Sequence, residues 1–365
     1  MIAGGGTGGH TSPGLAVATA LQQRGLPHVW IGSRDGVEAR RAAEQSITYY
    51  AIPTGKLRRY WAWRNISDLA INVPAGVLTA HRLLRRLRPR VVLATGGFVA
   101  LPVVAAAATV RVPIVVHEQT AVPGLANRLA ARLAQRVAVS FAESGRHFPG
   151  ARVVVTGNPL RPDLRAGTRA DAVARFGLDP ALPLVYVTGG AQGAHAINRA
   201  VGAIVGDLLA RAQVIHQCGD NRETGDLGWL QAQRAALPPA LAGRYTVLPW
   251  VGAELAGIYA AASLVVTRAG AGTVNECCHL GVPALYIPLP GASGDEQTAN
   301  ARLVTIAGGG AILPQAKLTP PALLGQVQGL LGDAAHLKDM GERARALAIP
   351  DAADRLVNLL LEIGE

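Results

Sequence analysis

GGGTGGHTSPG, residues 4–14, follows Met1-Ile2-Ala3 directly. Its Gly4-x-Gly6-x-x-Gly9 spacing is that of a tight strand-to-helix turn whose backbone amides can approach a phosphate. His10 comes next, and Pro13-Gly14 marks a helix start. A helix beginning near Pro13 places His10 at or just before the first turn, where the helix dipole lowers the imidazole pKa. A neutral histidine there can take a proton from a hydroxyl as general base. Capping or packing is the plainer role for a lone histidine. A dinucleotide site is the other alternative, and it calls for an acidic residue at the end of the second strand. Here Trp30-Ile31-Gly32 is followed by Ser33-Arg34-Asp35. Ser-Arg suits the ribose phosphate of NADP, but that reading leaves His10 idle.

Working outward, short apolar runs alternate with helical stretches such as 14–24 and 124–135. HVWIG (28–32), RVVLATGG (90–97), VPIVVHE (112–118), RVAVS (136–140) and RVVVTGN (152–158) read as buried parallel strands. After the polar linker NPLRPDLRAGTR (158–169), PLVYVTGG (183–190), QVIHQCG (213–219), YTVLPW (245–250), SLVVTRAG (263–270) and PALYIPLP (283–290) restart the rhythm. TGGAQGAH (188–195) echoes AGGGTGGH (3–10). The expected fold is α/β, two Rossmann-like doubly wound domains facing a cleft. Four glycine turns, 4–10, 95–98, 188–195 and 268–276, fall where strands should end. They suit a site for two ligands, at least one a nucleotide diphosphate. No GK[ST] follows any of them, so a P-loop is excluded.

The 365-residue chain is 50% hydrophobic and 16% charged, with a formal net charge of +11. That basicity points to an anionic partner. LRRYWAWRN (57–65) and HRLLRRLRPR (81–90) interleave arginine with aromatic and apolar residues. The mixture suits stacking on single-stranded nucleic acid, an anionic membrane surface, or simply a solvated face. Cys218, Cys277 and Cys278 lack metal-ligand spacing and read as reduced, buried thiols of a cytosolic protein. Met1-Ile2-Ala3 is too short for a signal-peptide core. VALPVVAAAATV (99–110) falls short of the ~20 apolar residues that span a bilayer.

The motifs as a set resemble the MurG family of peptidoglycan glycosyltransferases. They are GGTGGH with PGLAVA (5–10, 13–18), TGGF (95–98), HEQ (117–119), PGLAN (123–127), GNPLR (157–161), GGAQGAHAIN (189–198), RAGAGTVNE (268–276), DEQTAN (295–300) and ERARALAIPDAADR (342–355). The resemblance runs through essentially the whole chain in order. It implies a GT-B enzyme that inverts the anomeric centre while moving GlcNAc from UDP-GlcNAc to the C4 hydroxyl of undecaprenyl-pyrophosphate-linked MurNAc-pentapeptide, turning lipid I into lipid II. It also implies no tightly held metal, with Mg²⁺ at most stimulatory. Residues 1–160 plus 345–365 would take the acceptor and the membrane, and residues 161–344 would take the donor.

By the same resemblance His10 and Glu118 are catalytic. Thr7, Gly8, Gly9, Thr120, Asn127, Arg161, Ala191, Gln192 and Asn198 match donor-side positions. Arg161 would meet the diphosphate charge, and Ala271, Gly272 and Thr273 would meet it at a helix N-terminus, with Val274 and Asn275 beside them. Glu276 would hold the ribose hydroxyls, the Val251 backbone would read uracil, and Gln297 and Asn300 would hold the sugar. Thr95, Gly96, Gly97 and Phe98 would line the acceptor side. Two residues depart from the family pattern: Ala191 replaces a usual serine and Thr120 a common asparagine. A polyprenyl acceptor moves the basic stretch toward an anionic inner-membrane surface, with peripheral attachment at its cytoplasmic face and no nucleic acid. Rival readings are another GT-B lipid glycosyltransferase, an NADP-dependent oxidoreductase and a non-enzymatic membrane-binding module.

Overall fold

The computed structural model describes residues 1–55, 71–291 and 293–365. The stretch LRRYWAWRN (57–65) lies outside the described residues. The chain divides into two compact units, Met1–Arg161 with Ile349–Glu365, and Pro162–Ala348. The sequence reading had placed these divisions after residues 160 and 344.

In the first unit β1 (Ile2–Gly4), β2 (Trp30–Ser33), β3 (Tyr49–Ile52), β4 (Val92–Gly96), β5 (Ile114–Glu118), β6 (Arg136–Val139) and β7 (Val153–Val155) form one parallel sheet. Its order is β3-β2-β1-β4-β5-β6-β7. Alternate strand residues feed two cores. Ala3, Ile31, Val92, Ala94, Ile114 and Val116 face one. Ile2, Trp30, Leu93, Val115 and Ala138 face the other. Both faces are covered by helices, which is why the strands read as unbroken apolar runs. The helix Ala352–Gly364 adds Leu356, Val357 and Leu360 to the second core, beside Leu15 and Ala18. Arg24 also donates to Asp354 and Asn358 on that helix.

In the second unit β8 (Leu184–Thr188), β9 (Gln213–Gln217), β10 (Tyr245–Leu248), β11 (Ala262–Thr267), β12 (Ala284–Tyr286) and β13 (Ala311–Ile312) form a parallel sheet. Its order is β10-β9-β8-β11-β12-β13. The helix His195–Leu209 covers one face with Ile197, Val201, Ile204 and Leu208. The expected linker carries a short 3-10 turn, Pro162–Arg165, and a Thr168–Asp171 capping box.

Two strands were not foreseen. In β3 the tyrosines of TYYAI break the uniform apolar signal, and β13 has only two residues. Cys218, Cys277 and Cys278 are buried and free. Burial pushes the Cys278 thiol up to about 12.

Each sheet has one topological switch point, between β1 and β4 in the first and between β8 and β11 in the second. Ligands of doubly wound sheets bind beyond the carboxyl ends of such strands. All four glycine turns follow these four strands.

Candidate active site

At the first switch point the two turns close around His10. Thr7, in extended conformation, caps the helix Gly8–Gln23, and its hydroxyl accepts the His10 N–H at 3.5 Å. The helix therefore begins well before Pro13, which corrects the expected start. Pro13 sits inside it, where its missing N–H leaves the Gly9 carbonyl without a helical partner. Thr7 is a cap, and the amides of Gly8 and Gly9 are the open donors of the first turn.

The Thr95 hydroxyl donates to the His10 carbonyl at 2.8 Å, joining β4 to this turn. Thr95 is fully buried, with its hydroxyl engaged by the His10 carbonyl. Gly96 and Gly97 have φ of +102° and +79°. A Cβ on Gly96 would lie 2.8 Å from His10 Nδ1, so only glycine lets the imidazole approach. Phe98 is 42% exposed and remains available to a ligand.

The His10 ring is half-buried. Burial holds its pKa below the usual histidine range, opposed by the Glu118 charge and a Thr95 backbone hydrogen bond. Burial, rather than the helix end alone, keeps the ring neutral. Gln119 supplies the remaining contact, 3.2 Å from its side-chain nitrogen to His10 Nδ1.

Glu118 is the last residue of β5. It is 1% exposed and accepts from the Thr120 N–H at 2.8 Å and from Asn127 Nδ2 at 2.9 Å. The Thr120 hydroxyl lies 2.6 Å from Glu118 Oε1 and 2.7 Å from the Val122 carbonyl. Its single hydrogen can serve only one of them. Glu118, Thr120 and Asn127, expected as catalytic and donor-side residues, are thus hydrogen-bonded to one another. Thr120 and Asn127 both engage the Glu118 carboxylate, bracing the loop that carries Gln119, while the Asn127 Oδ1 is buried without a partner.

The structure also bears on the dinucleotide alternative. Glu38 is fully buried and accepts from the Gly6 and Ser33 N–H groups, each at 3.0 Å. A Cβ on Gly5 or Gly36 would collide with its carboxylate. The turn that would cradle a cofactor pyrophosphate is filled by the protein's own anion, which a phosphate could not approach.

At the second switch point the helix Ala271–Leu280 starts at Gly270 with no side-chain cap, leaving the first-turn amides of Ala271, Gly272 and Thr273 open. Cβ atoms on Gly270 and Gly272 would meet nothing within 4 Å. A helix end of this kind can accept an anion. Ala191 and Gln192 are exposed in the facing turn on β8. Glu276 lies on the same helix and accepts from the Tyr259 hydroxyl at 2.8 Å. Gln297 Oε1 accepts from the Leu289 N–H at 2.9 Å, which leaves its NH₂ to a ligand. Val251 is buried, consistent with a backbone contact only. Arg161 is half-buried and ends the first unit.

Four residues expected on the donor side are engaged within the protein. Asn198 is fully buried, donates to the Cys218 carbonyl and Asp226 Oδ2, each at 2.9 Å, and meets His216 Nε2 at 3.0 Å. Val274 is a core side chain whose N–H bonds the Gly270 carbonyl. Asn275 donates to the Ala271 carbonyl at 2.8 Å, and Asn300, 1% exposed, to the Ala269 carbonyl at 3.1 Å. Asn275 and Asn300 thereby hold carbonyls of the 268–276 segment. Sequence reasoning missed Gln119, Glu38 and Tyr259. Gln119 lay inside a quoted motif, Glu38 showed only as a first-turn acid, and Tyr259 gave no signal within an alanine-rich helix.

Comparison with known proteins follows the same division. The family model "Glycosyltransferase family 28 N-terminal domain" matches residues 1–139, and "Glycosyltransferase family 28 C-terminal domain" matches residues 184–356. The chain is 42% identical, over 100% of its length and 98% of the relative's, to a Nocardioides UDP-N-acetylglucosamine–N-acetylmuramyl-(pentapeptide) pyrophosphoryl-undecaprenol N-acetylglucosamine transferase. A Halorhodospira halophila protein of the same name is 41% identical over 100% of this chain and 98% of its own. The crystal structure of Acinetobacter baumannii MurG superposes with a TM-score of 0.75 at 31% identity, covering 99% of this chain and 98% of that one.

Proposed function

This chain belongs to glycosyltransferase family 28, and from that premise we infer that it moves GlcNAc from UDP-GlcNAc to lipid I, forming lipid II in peptidoglycan synthesis. It is an N-acetylglucosaminyltransferase of GT-B fold. The observation that carries this is the match, over the whole length of both chains, to relatives whose names state the reaction.

Inverting transfer needs a base on the acceptor hydroxyl and stabilisation of the departing diphosphate. In this reading His10 Nε2 takes the proton of the MurNAc C4 hydroxyl. Its depressed pKa keeps the ring neutral at physiological pH. The leaving UDP is met by the open amides of Ala271, Gly272 and Thr273 and by the Arg161 guanidinium. Glu276 takes the ribose hydroxyls and the Gln297 NH₂ a sugar hydroxyl. Among the described residues no group of three His, Cys, Asp or Glu side chains is placed to hold a metal ion. The reading assigns the diphosphate charge to protein donors, with Mg²⁺ as an optional aid.

The acceptor is lipid-linked, and no helix among the described residues is long and apolar enough to cross a membrane. We propose peripheral docking on the anionic cytoplasmic face of the inner membrane. An apolar groove lined by Val73, Val77, Leu101, Leu129 and Leu133 supports this. Exposed Ile71 and Leu78 lie near it in sequence, as do exposed Arg82, Arg85 and Arg86.

The test is transfer of radiolabel from UDP-GlcNAc to a lipid I analogue. Label should appear in a lipid II analogue of inverted linkage, and His10→Ala should lose transfer while still binding UDP-GlcNAc. Thermal stabilisation by NADPH and not by UDP would overturn the reading. Unchanged turnover in His10→Ala would remove the base role alone.

A further inference from the structure

Tyr259 stands on the helix Leu255–Ala261 and is 2% exposed. Its hydroxyl donates to Glu276 Oε2 at 2.8 Å. The phenol has no freedom to swing away. Its ring packs edge-on against Tyr186, with centroids 5.7 Å apart and planes at 86°. Tyr186 is itself buried, and its hydroxyl donates to Gln217 Oε1 at 2.6 Å. Gln217 Nε2 in turn donates to the carbonyl of Gly190, at 3.3 Å, in the glycine turn that follows β8. A chain of buried polar and aromatic groups thus runs from that turn to one oxygen of the Glu276 carboxylate.

Glutamate has three side-chain torsions, and a half-buried carboxylate held at one oxygen loses most of that freedom before a ligand arrives. An ionised carboxylate offers about four lone-pair sites. Tyr259 occupies one from the protein side. A vicinal diol, with two hydroxyl donors, is the ligand group that suits an oriented carboxylate. Burial and the neighbouring Glu276 charge raise the Tyr259 pKa well above the usual phenol value, so its hydroxyl stays a donor at any working pH.

We propose that Tyr259 is a positioning residue that presents Glu276 to the ribose diol, so that selection of a uridine ribonucleotide over its 2′-deoxy counterpart depends on a side chain that need not touch the nucleotide. The inference rests on the reading of Glu276 as the ribose-binding group.

The test is calorimetric binding of UDP and 2′-deoxy-UDP to the full-length protein and to Tyr259→Phe and Glu276→Gln. Phenylalanine keeps the ring packed on Tyr186 and removes only the donor. The native protein should prefer UDP by ~10-fold or more, the scale of a hydrogen bond to a charged group. In Tyr259→Phe the preference should shrink to about 3-fold or less, mainly through weaker UDP binding, with 2′-deoxy-UDP affinity nearly unchanged. In turnover, KM for UDP-GlcNAc should rise with kcat retained. A Tyr259→Phe protein that keeps the native preference, or that weakens both nucleotides equally, overturns the proposal, because a purely structural role would not distinguish them. If Glu276→Gln keeps the native preference, the ribose reading of Glu276 fails and takes the proposal with it. The two variants tell these failures apart.

Discussion

The side-chain nitrogen of Gln119 lies 3.2 Å from Nδ1 of His10, and the amide oxygen of the same side chain is buried without a partner. Amide oxygen and nitrogen are sterically equivalent, so exchanging them sacrifices no hydrogen bond. A base acting through Nε2 must carry its proton on Nδ1, and then the Gln119 oxygen is the acceptor that holds this tautomer. Gln119→Leu should lower kcat roughly 10- to 100-fold with UDP affinity intact.

The pH dependence follows from the same contact. Neutral His10 is the active form, so kcat/KM falls as pH drops through its pKa, which burial places below 6.5. The Glu118 charge opposes burial at His10, and His10 in turn helps lower the pKa of buried His117. Gln119→Glu sets a carboxylate against Nδ1–H and should move the acidic limb upward by about one pH unit. A pH–rate profile checks this, and an unmoved limb would remove Gln119 from the role.

Gly96 meets the ring from the other side. Its φ of +102° is costly for any other residue, and a Cβ there would stand 2.8 Å from His10 Nδ1. Gly96→Ala should lower kcat by about 10-fold or more through a displaced imidazole. UDP should bind the variant normally, since Gly96 is not among the residues assigned to the nucleotide. Steady-state kinetics paired with UDP calorimetry separates the two effects.

Ala191 is exposed in the turn after β8, at the position where the family resemblance leads one to expect serine. The position has room for a hydroxyl. Ala191→Ser should lower KM for UDP-GlcNAc by roughly 3- to 10-fold, one added hydrogen bond to phosphate, with kcat unchanged. An unaltered KM would show that the turn binds through its backbone alone.

His216 is fully buried between the Tyr245 hydroxyl, 2.9 Å from Nδ1, and Asn198 Oδ1, 3.0 Å from Nε2. Burial pushes its pKa down to about 3, against 6.5 for an ordinary histidine. Below pH 6.5 the unfolded chain binds a proton that the native chain refuses. Stability therefore falls on acidification toward about pH 3, by about 1.4 kcal/mol per pH unit from this group. Urea unfolding should show the native protein losing about 2 kcal/mol more than His216→Gln between pH 6.5 and pH 5.

Much of the fold was legible before any coordinates. Buried parallel strands announce themselves as apolar runs, and ten such runs marked β2, β4 to β7 and β8 to β12. β3 and β13 escaped because tyrosines dilute one and the other has two residues. The helix start at Gly8 escaped because Pro13 is a strong start signal, whereas the actual cap is Thr7. Within the candidate site, motif matching located the right turns but could not tell which side chains face a ligand. Glu118, Asn198, Asn275 and Asn300 lie in quoted motifs just as His10, Gly272 and Glu276 do, yet each makes a side-chain hydrogen bond within the protein.

By itself the sequence determined the architecture and the kind of chemistry. Residue periodicity follows from strand and helix geometry, and glycine at a strand end is a local requirement of backbone conformation. Only the tertiary structure decided which polar groups remain open. Glu38 fills the first turn because β2 and its helix deliver it across 32 residues to the Gly6 amide. Gln119 and Gly96 enclose His10 because β1, β4 and β5 are neighbours in the sheet. Hydrogen-bond satisfaction is settled by groups distant in the chain, and a linear pattern carries no record of which of them meet.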